Sequence, residues 1–207
     1  MKMQKRLIAL LMSSVIITGC SSMGGDEPIT PTVLKSEYSA IAKEKFQHSQ
    51  IDQLSPLATT TNELFLESYP IYQDYVYHVE NSNGVGASHS AAVAMLDTDD
   101  DRKDYLVDLK NHNKQEYKQY EDFINNEQIK SIYARVGKAA LKAITQSALI
   151  SKIDTSSLIT NSGLGFMELG KEKDVVTLMS NQISLMNKTT VALHNEYKAN
   201  KAANQIK

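Results

Sequence analysis

The sequence predicts an all-α protein, an irregular bundle of about five to seven helices, the short ones included. Three observations lead there. No proline occurs beyond Pro70, and between Gly86 and Gly163 the only glycine is Gly137, so the chain offers few places to interrupt a helix. Apolar residues recur at three- and four-residue steps over two long stretches, the spacing of one helical face. Strand-like alternation is nearly absent, with "YVYHV" at Tyr75 to Val79 a short and ambiguous exception.

Ahead of the bundle lies a segment of a different kind. Lys2, Lys5 and Arg6 are followed by an uncharged, mostly apolar run over residues 7–17, the layout of a secretory signal peptide. The run falls well short of the roughly 20 apolar residues needed to span a bilayer. It ends in Ile17-Thr18-Gly19-Cys20, a branched aliphatic and two small residues before the chain's single cysteine. This run resembles the lipobox of bacterial lipoprotein precursors. The resemblance implies that signal peptidase II cuts before Cys20, that its thiol carries diacylglycerol, and that the new amino group is acylated. A lone free thiol would be an oddity in an oxidising compartment, whereas a lipidated cysteine leaves none. Several acyl chains also give stable anchoring where a single chain does not. Ser21 and Ser22 stand where aspartate would favour inner-membrane retention in that class, which implies export to the outer membrane.

The expected organisation is a signal peptide over residues 1–19, a lipidated cysteine and flexible tether over 20–32, and one helical domain over 33–207. Losing 19 of the 207 residues leaves 188 and removes Lys2, Lys5 and Arg6, which moves the formal net charge from −2 to −5. A mildly acidic body makes no electrostatic case for nucleic acid or for an anionic membrane surface. Membrane contact is therefore expected through the lipid alone. The tether "SSMGGDEPITPT" has two glycines and two prolines, with little that could pack. It reaches at most about 40 Å extended and roughly 19 Å as a coil, so the body should hang close to the membrane.

Within the body, Ser55-Pro56 places a capping residue before a proline at the first helical position. Thr60 to Glu63 and Thr98 to Asp101 have capping-box spacing, the second with aspartate in place of glutamate. Pro70 should interrupt any helix just before it. "ENSNGVGAS", residues 80–88, reads as a flexible loop, and Ser88-His89-Ser90 as a boundary between loop and helix. Tyr105, Leu106, Leu109, Tyr117, Tyr120 and Ile124 mark a helical stretch interrupted by the polar "KNHNKQE". Asn125-Asn126 should separate two helices. Ile129, Ile132, Tyr133, Val136, Ala140, Ala143, Ile144 and Ser147 then form a small-residue face suited to close packing. Gly170 reads as a C-terminal stop. Val175, Met179, Gln182, Met186, Thr190, Leu193 and Tyr197 continue the same rhythm with a more polar seam, widened by Leu178, Ile183 and Leu185.

With Cys20 lipidated no thiol nucleophile remains, and no CxxC pair, HExxH helix, phosphate-binding glycine loop or GxSxG elbow is present, so no catalytic residues and no metal or organic cofactor are assigned. Asp97, Asp99, Asp101 and Asp108 occupy positions 1, 3, 5 and 12 of a calcium loop, the weak calcium candidate in the chain. Arg102 stands where the loop needs glycine, and a capped helix N-terminus explains the carboxylates better. Glu44 with His48, and Asp108 with His112, have the four-residue spacing of a helical face but sit among polar residues.

The expected function is that of a non-enzymatic helical interaction or scaffold module for another cell-envelope protein. The body would be held at the outer membrane by its lipid and lie in the periplasm, exposure at the cell surface being the alternative orientation. The alternatives are a periplasmic bundle that binds a small molecule or lipid, and an enzyme assembled from scattered residues. A partner site is expected in "SYPIYQDYVYHV", through Tyr72, Tyr75 and Tyr77. If the stretch is helical, Tyr72, Tyr75, Val76 and Val79 share one face and Tyr77 points away.

Overall fold

The computed structural model describes residues 31–82 and 84–205. The segment read as a signal peptide, the lipobox-like run with Cys20, and residues 21–30 of the expected tether lie outside the described residues. The chain is all-α. Its helices are α1 (Pro31–Lys43), α2 (Ser55–Asn81), α3 (Val85–Ala94), α4 (Asp99–His112), α5 (Lys114–Asn125), α6 (Glu127–Ile150), α7 (Thr155–Thr160), α8 (Phe166–Met186) and α9 (Ala192–Gln205). A π turn, Asn187–Val191, joins α8 to α9 without a break. With α8 and α9 counted as one run there are eight helical runs among the described residues, against the expected five to seven.

Three long helices form the centre. Leu57 and Thr61 of α2 meet Gln146 of α6, Glu67 meets Lys142, and Asp74 meets Arg135. These pairings run in opposite directions, so α2 and α6 are antiparallel. Asn62 of α2 meets Gln182 of α8, and Tyr75 meets Glu196 of α9. The last run is therefore parallel to α2, with a contour of about 60 Å. Ser147 and Asn187, and the close approach of Gly137 to His194, align α6 antiparallel to it. Ala140 and Ala143 of the small-residue face are buried, with Ala139 beside them, and let the backbones approach, but Ile144, placed on the same face, is 47% exposed and Ser147 only partly buried.

The outer helices close the core. On α1, Tyr38 stacks on Phe65, Tyr69 and Tyr72 at 5.1–5.3 Å, and its hydroxyl donates to Thr189 in the π turn at 2.7 Å. Thr189 in turn donates to Leu185 O, a polar anchor at the one irregular turn of the long run. Helix α3 lies on α5 through Gly86, where a Cβ would stand 2.5 Å from Gln119 O and 2.6 Å from the Phe123 Cβ. The return segment 44–54 is tied down by Glu172 of α8. Its two carboxylate oxygens accept from the Ser49 hydroxyl at 2.5 Å and the Gln50 N–H at 2.7 Å.

Several start and stop signals act as read. The Thr98 hydroxyl accepts from Asp101 N–H at 3.1 Å, and Asn126 accepts from the N–H groups of Gln128 and Ile129. Others give way to packing. Pro70 lies inside α2, with Leu66, whose carbonyl loses its partner, on the same exposed face, where water can serve it. Thr60 to Glu63 is mid-helix, because α2 already begins at Ser55, after Leu54. Gly170 sits on the exposed side of α8, which continues because Glu172, Val175 and Met179 are buried beyond it. "YVYHV" is helical. The expected loop over 80–88 is largely helical, since α2 runs to Asn81 and α3 starts at Val85 after Gly84 at φ +71°, and Ser88-His89-Ser90 falls within α3. Pro31 and Thr32, read as tether, belong to α1.

Candidate functional site

Two arrangements bear on function: a buried carboxylate at the centre of the bundle and an apolar, cationic face on its outside. The first grows from α9, where Leu193, Glu196, Asn200 and Ala203 share one buried face. Glu196 accepts the Ser90 hydroxyl of α3 at 2.5 Å and the Tyr133 hydroxyl of α6 at 2.9 Å on one oxygen. The Tyr75 hydroxyl of α2 lies 3.3 Å from both oxygens. One turn on, Asn200 accepts from the Tyr120 hydroxyl of α5 at 2.9 Å and donates to Ser90 and to Glu196 O. Five helices therefore meet on one carboxylate and one amide.

Burial raises the Glu196 pKa above the usual 4.5, partly offset by the donated bonds from Ser90, Tyr133 and Tyr75. Burial likewise pushes the Tyr75 and Tyr133 hydroxyls well above 10.0, and the neighbouring Glu196 adds to it. These groups bond to one another inside the core. Such a network specifies which helices meet; it presents no group to a substrate.

Elsewhere, His89 of α3 lies 2.6 Å from the Tyr105 hydroxyl and 3.0 Å from Glu116, joining α3, α4 and α5. Burial and the nearby Glu116 push Tyr105 up to about 12. A shallow open cleft of about 310 Å³ is lined by Ala94, Arg102, Asn195, Lys198, Ala199 and Ala202. Arg102 is already spent on the carbonyls of Val93 and Leu96 and on Asp99.

The outer face belongs to α6. Ala134, Lys138, Leu141, Thr145 and Ala148 follow one another along its exposed side, with Ile144 and Leu149 at the flanks. Leu141 is 62% exposed. At its edge against α2, Arg135 pairs with Asp74 at 2.6 Å and Lys142 with Glu67 at 2.7 Å. A second apolar feature is the start of α8, where Phe166 is 92% and Met167 74% exposed. Because α6 ends beside Val175 and Met179, these two residues project past its end.

The predicted site residues separate. Tyr72 and Tyr75 are core residues, 2% and 0% exposed, so they offer a partner nothing; Tyr77 is 62% exposed. The helical geometry anticipated this split, with Tyr72, Tyr75, Val76 and Val79 inside and Tyr77 out. The calcium loop is not formed. Asp99 and Asp101 sit in the first turn of α4, Thr98 caps it, and Asp108 lies two turns further along the same helix. A rigid helix cannot fold Asp108 back towards Asp97, and Asp99 is bonded to Arg102 at 2.6 Å. Among the described residues no three His, Cys, Asp or Glu side chains converge as metal ligands. Glu44 and His48 share no helical face, since α1 ends at Lys43. Asp108 and His112 do face each other, at 3.2 Å and in solvent. Cys20 lies outside the described residues.

The sequence reading missed Glu196, Asn200 and Glu172. Their signal was positional: Glu196 and Asn200 stand three and seven residues after Leu193, and Glu172 three before Val175, on faces otherwise read as apolar. No protein-family model, no curated protein and no solved structure was found to match this chain.

Proposed function

We propose that the chain is a lipoprotein anchored at the outer membrane through Cys20, whose helical body in the periplasm acts as a non-enzymatic scaffold for another cell-envelope protein. The observation that carries this reading is where the side chains sit. The polar groups that could do chemistry, around Glu196, are buried and bonded to one another, while large apolar side chains on α6 and at the start of α8 face outward. Exposed apolar residues that cluster, rather than scatter, mark interaction surfaces. The anchor rests on the lipobox resemblance of Ile17-Thr18-Gly19-Cys20.

The test is chemical crosslinking of the lipidated protein in its own membrane, beside a Cys20→Ser variant. The reading expects a discrete adduct with a second envelope protein, found in the outer-membrane fraction and lost when Cys20→Ser leaves the precursor unprocessed or mis-sorted. Normal fractionation of Cys20→Ser would refute the anchor, and absence of any protein adduct would refute the scaffold.

A further inference from the structure

We infer that the exposed face of α6 is a docking strip for an acidic amphipathic helix of a protein partner. The inference rests on the scaffold reading and names the partner's chemistry.

Its first support is charge. From Gln128 through Ile153 the sequence has no Asp or Glu, in a chain with 24 of them, while Lys130, Arg135, Lys138, Lys142 and Lys152 fall in the same stretch. Lys130, Arg135 and Lys142 are paired with Glu127, Asp74 and Glu67. Lys138 and Lys152 are exposed and make no ion pair among the described residues. Lys138 lies on α6 ahead of Leu141, Thr145 and Ala148, and Lys152 lies just past the C-terminal end of the helix beyond them. An apolar seam with a cation at either end is complementary to a helix of apolar spacing flanked by carboxylates.

The same observations argue against the other occupants. A second copy packing antiparallel about Thr145 would set Lys138 against Lys152 of the partner, since each lies seven residues from Thr145, and like charges would meet at both ends. An anionic bilayer is flat and would also meet α2, whose exposed Glu63, Glu67 and Asp74 run beside the strip. Asp74 and Glu67 are neutralised by Arg135 and Lys142, which leaves Glu63 to be repelled by its surface. A helix is narrow enough to lie on α6 alone. The small side chains of Ala134 and Ala148 allow such a helix to approach closely, with Leu141 and Ile144 as the anchors.

The experiment places the photoreactive residue p-benzoylphenylalanine at Thr145 of the full-length, lipidated chain and irradiates it in its native membrane. The crosslinked peptides are sequenced by mass spectrometry. The expected adduct is a segment of another protein with Asp or Glu and apolar residues at helical spacing. Its yield should fall by about tenfold in the Lys138→Glu/Lys152→Glu variant, and stay unchanged in a Lys103→Glu control on α4. Melting temperatures of both variants, matching the parent, show that the loss is not unfolding. Adducts to lipid, to a second copy, to the chain's own residues 20–30, or to a neutral or basic segment would each overturn the proposal, as would no adduct at all. The same probe at Phe166 separates the two failures. A protein adduct at Phe166 with none at Thr145 sinks the α6 assignment and leaves the scaffold reading standing; none at either position sinks both.

Discussion

Replacing Glu196 tests whether the polar centre organises the bundle. In Glu196→Ala the hydroxyls of Ser90, Tyr75 and Tyr133 all lose their acceptor in the core; Ser90 and Tyr133, 3.5 Å apart, can bond to each other, which leaves two hydroxyls without an acceptor. A buried hydroxyl left without a partner costs about 1–3 kcal/mol, so two cost about 4. Relief of the buried carboxylate's own desolvation offsets part of this at neutral pH, leaving about 3 kcal/mol net. For a domain of this size that lowers the melting temperature by about 6–12 °C. Glu196→Gln keeps an acceptor for Ser90 and Tyr133 and carries no charge, so its cost should stay near or below about 1 kcal/mol at pH 7. The pH dependence fixes the sign. Because the native Glu196 pKa lies above 4.5, the folded state binds its proton more tightly than the unfolded chain does. That contribution is fully present below the unfolded value and is lost as the pH rises through the raised native value. Glutamine does not titrate, so the stability of Glu196→Gln relative to the parent should improve as the pH rises from the unfolded carboxyl value of 4.5 through the raised native one. Urea unfolding followed by far-ultraviolet circular dichroism, on chains lacking residues 1–19 and carrying Cys20→Ser, measures all three proteins. A glutamine variant as unstable as the alanine one, or a difference that ignores pH, would refute the reasoning.

Gly86→Ala drives a methyl group into Gln119 O and the Phe123 Cβ and should cost about 1–3 kcal/mol by pushing α3 off α5, read by the same urea titration. Glu172→Ala frees Ser49 and Gln50, so amide exchange should rise across residues 44–54 while the amides of α6 stay protected. Tyr77→Ala removes an exposed ring and should leave helicity and melting temperature nearly unchanged, as measured by circular dichroism; a large loss would show that Tyr77 packs in the fold.

The parts of the fold that were legible are those set by local chemistry. In the series from Ile129 to Ser147 the residues up to Ala143 are buried, but Ile144 is exposed and Ser147 only partly buried; in the series from Val175 to Tyr197 all but the half-buried Tyr197 are buried. Thr98 and Asn126 cap as their side chains allow. Breakers were less informative, because packing overrides propensity. Pro70 and Gly170 both stand on exposed faces of helices whose opposite faces are buried, and a local cost of one to a few kcal/mol does not outweigh that burial. The polar centre was hidden for another reason. Glu196 and Asn200 look like ordinary solvent-facing residues of a polar segment until Ser90, Tyr75 and Tyr133, distant in sequence, arrive to satisfy them. Of the tyrosine cluster, the helix period separated Tyr77 from Tyr72 and Tyr75, but the α6 strip drew no attention, since Leu141 lies outside the face that the periodicity marked.

The central claim is that this body exists to hold another protein at the membrane. The most direct measurement is the native mass of the lipidated chain extracted from its own outer membranes in mild detergent. The account predicts a particle heavier than one processed chain, the 188 residues from Cys20 onward, with its lipid and detergent, containing a second, different polypeptide in fixed ratio. A particle holding a single copy alone, or copies of this chain only, would contradict it.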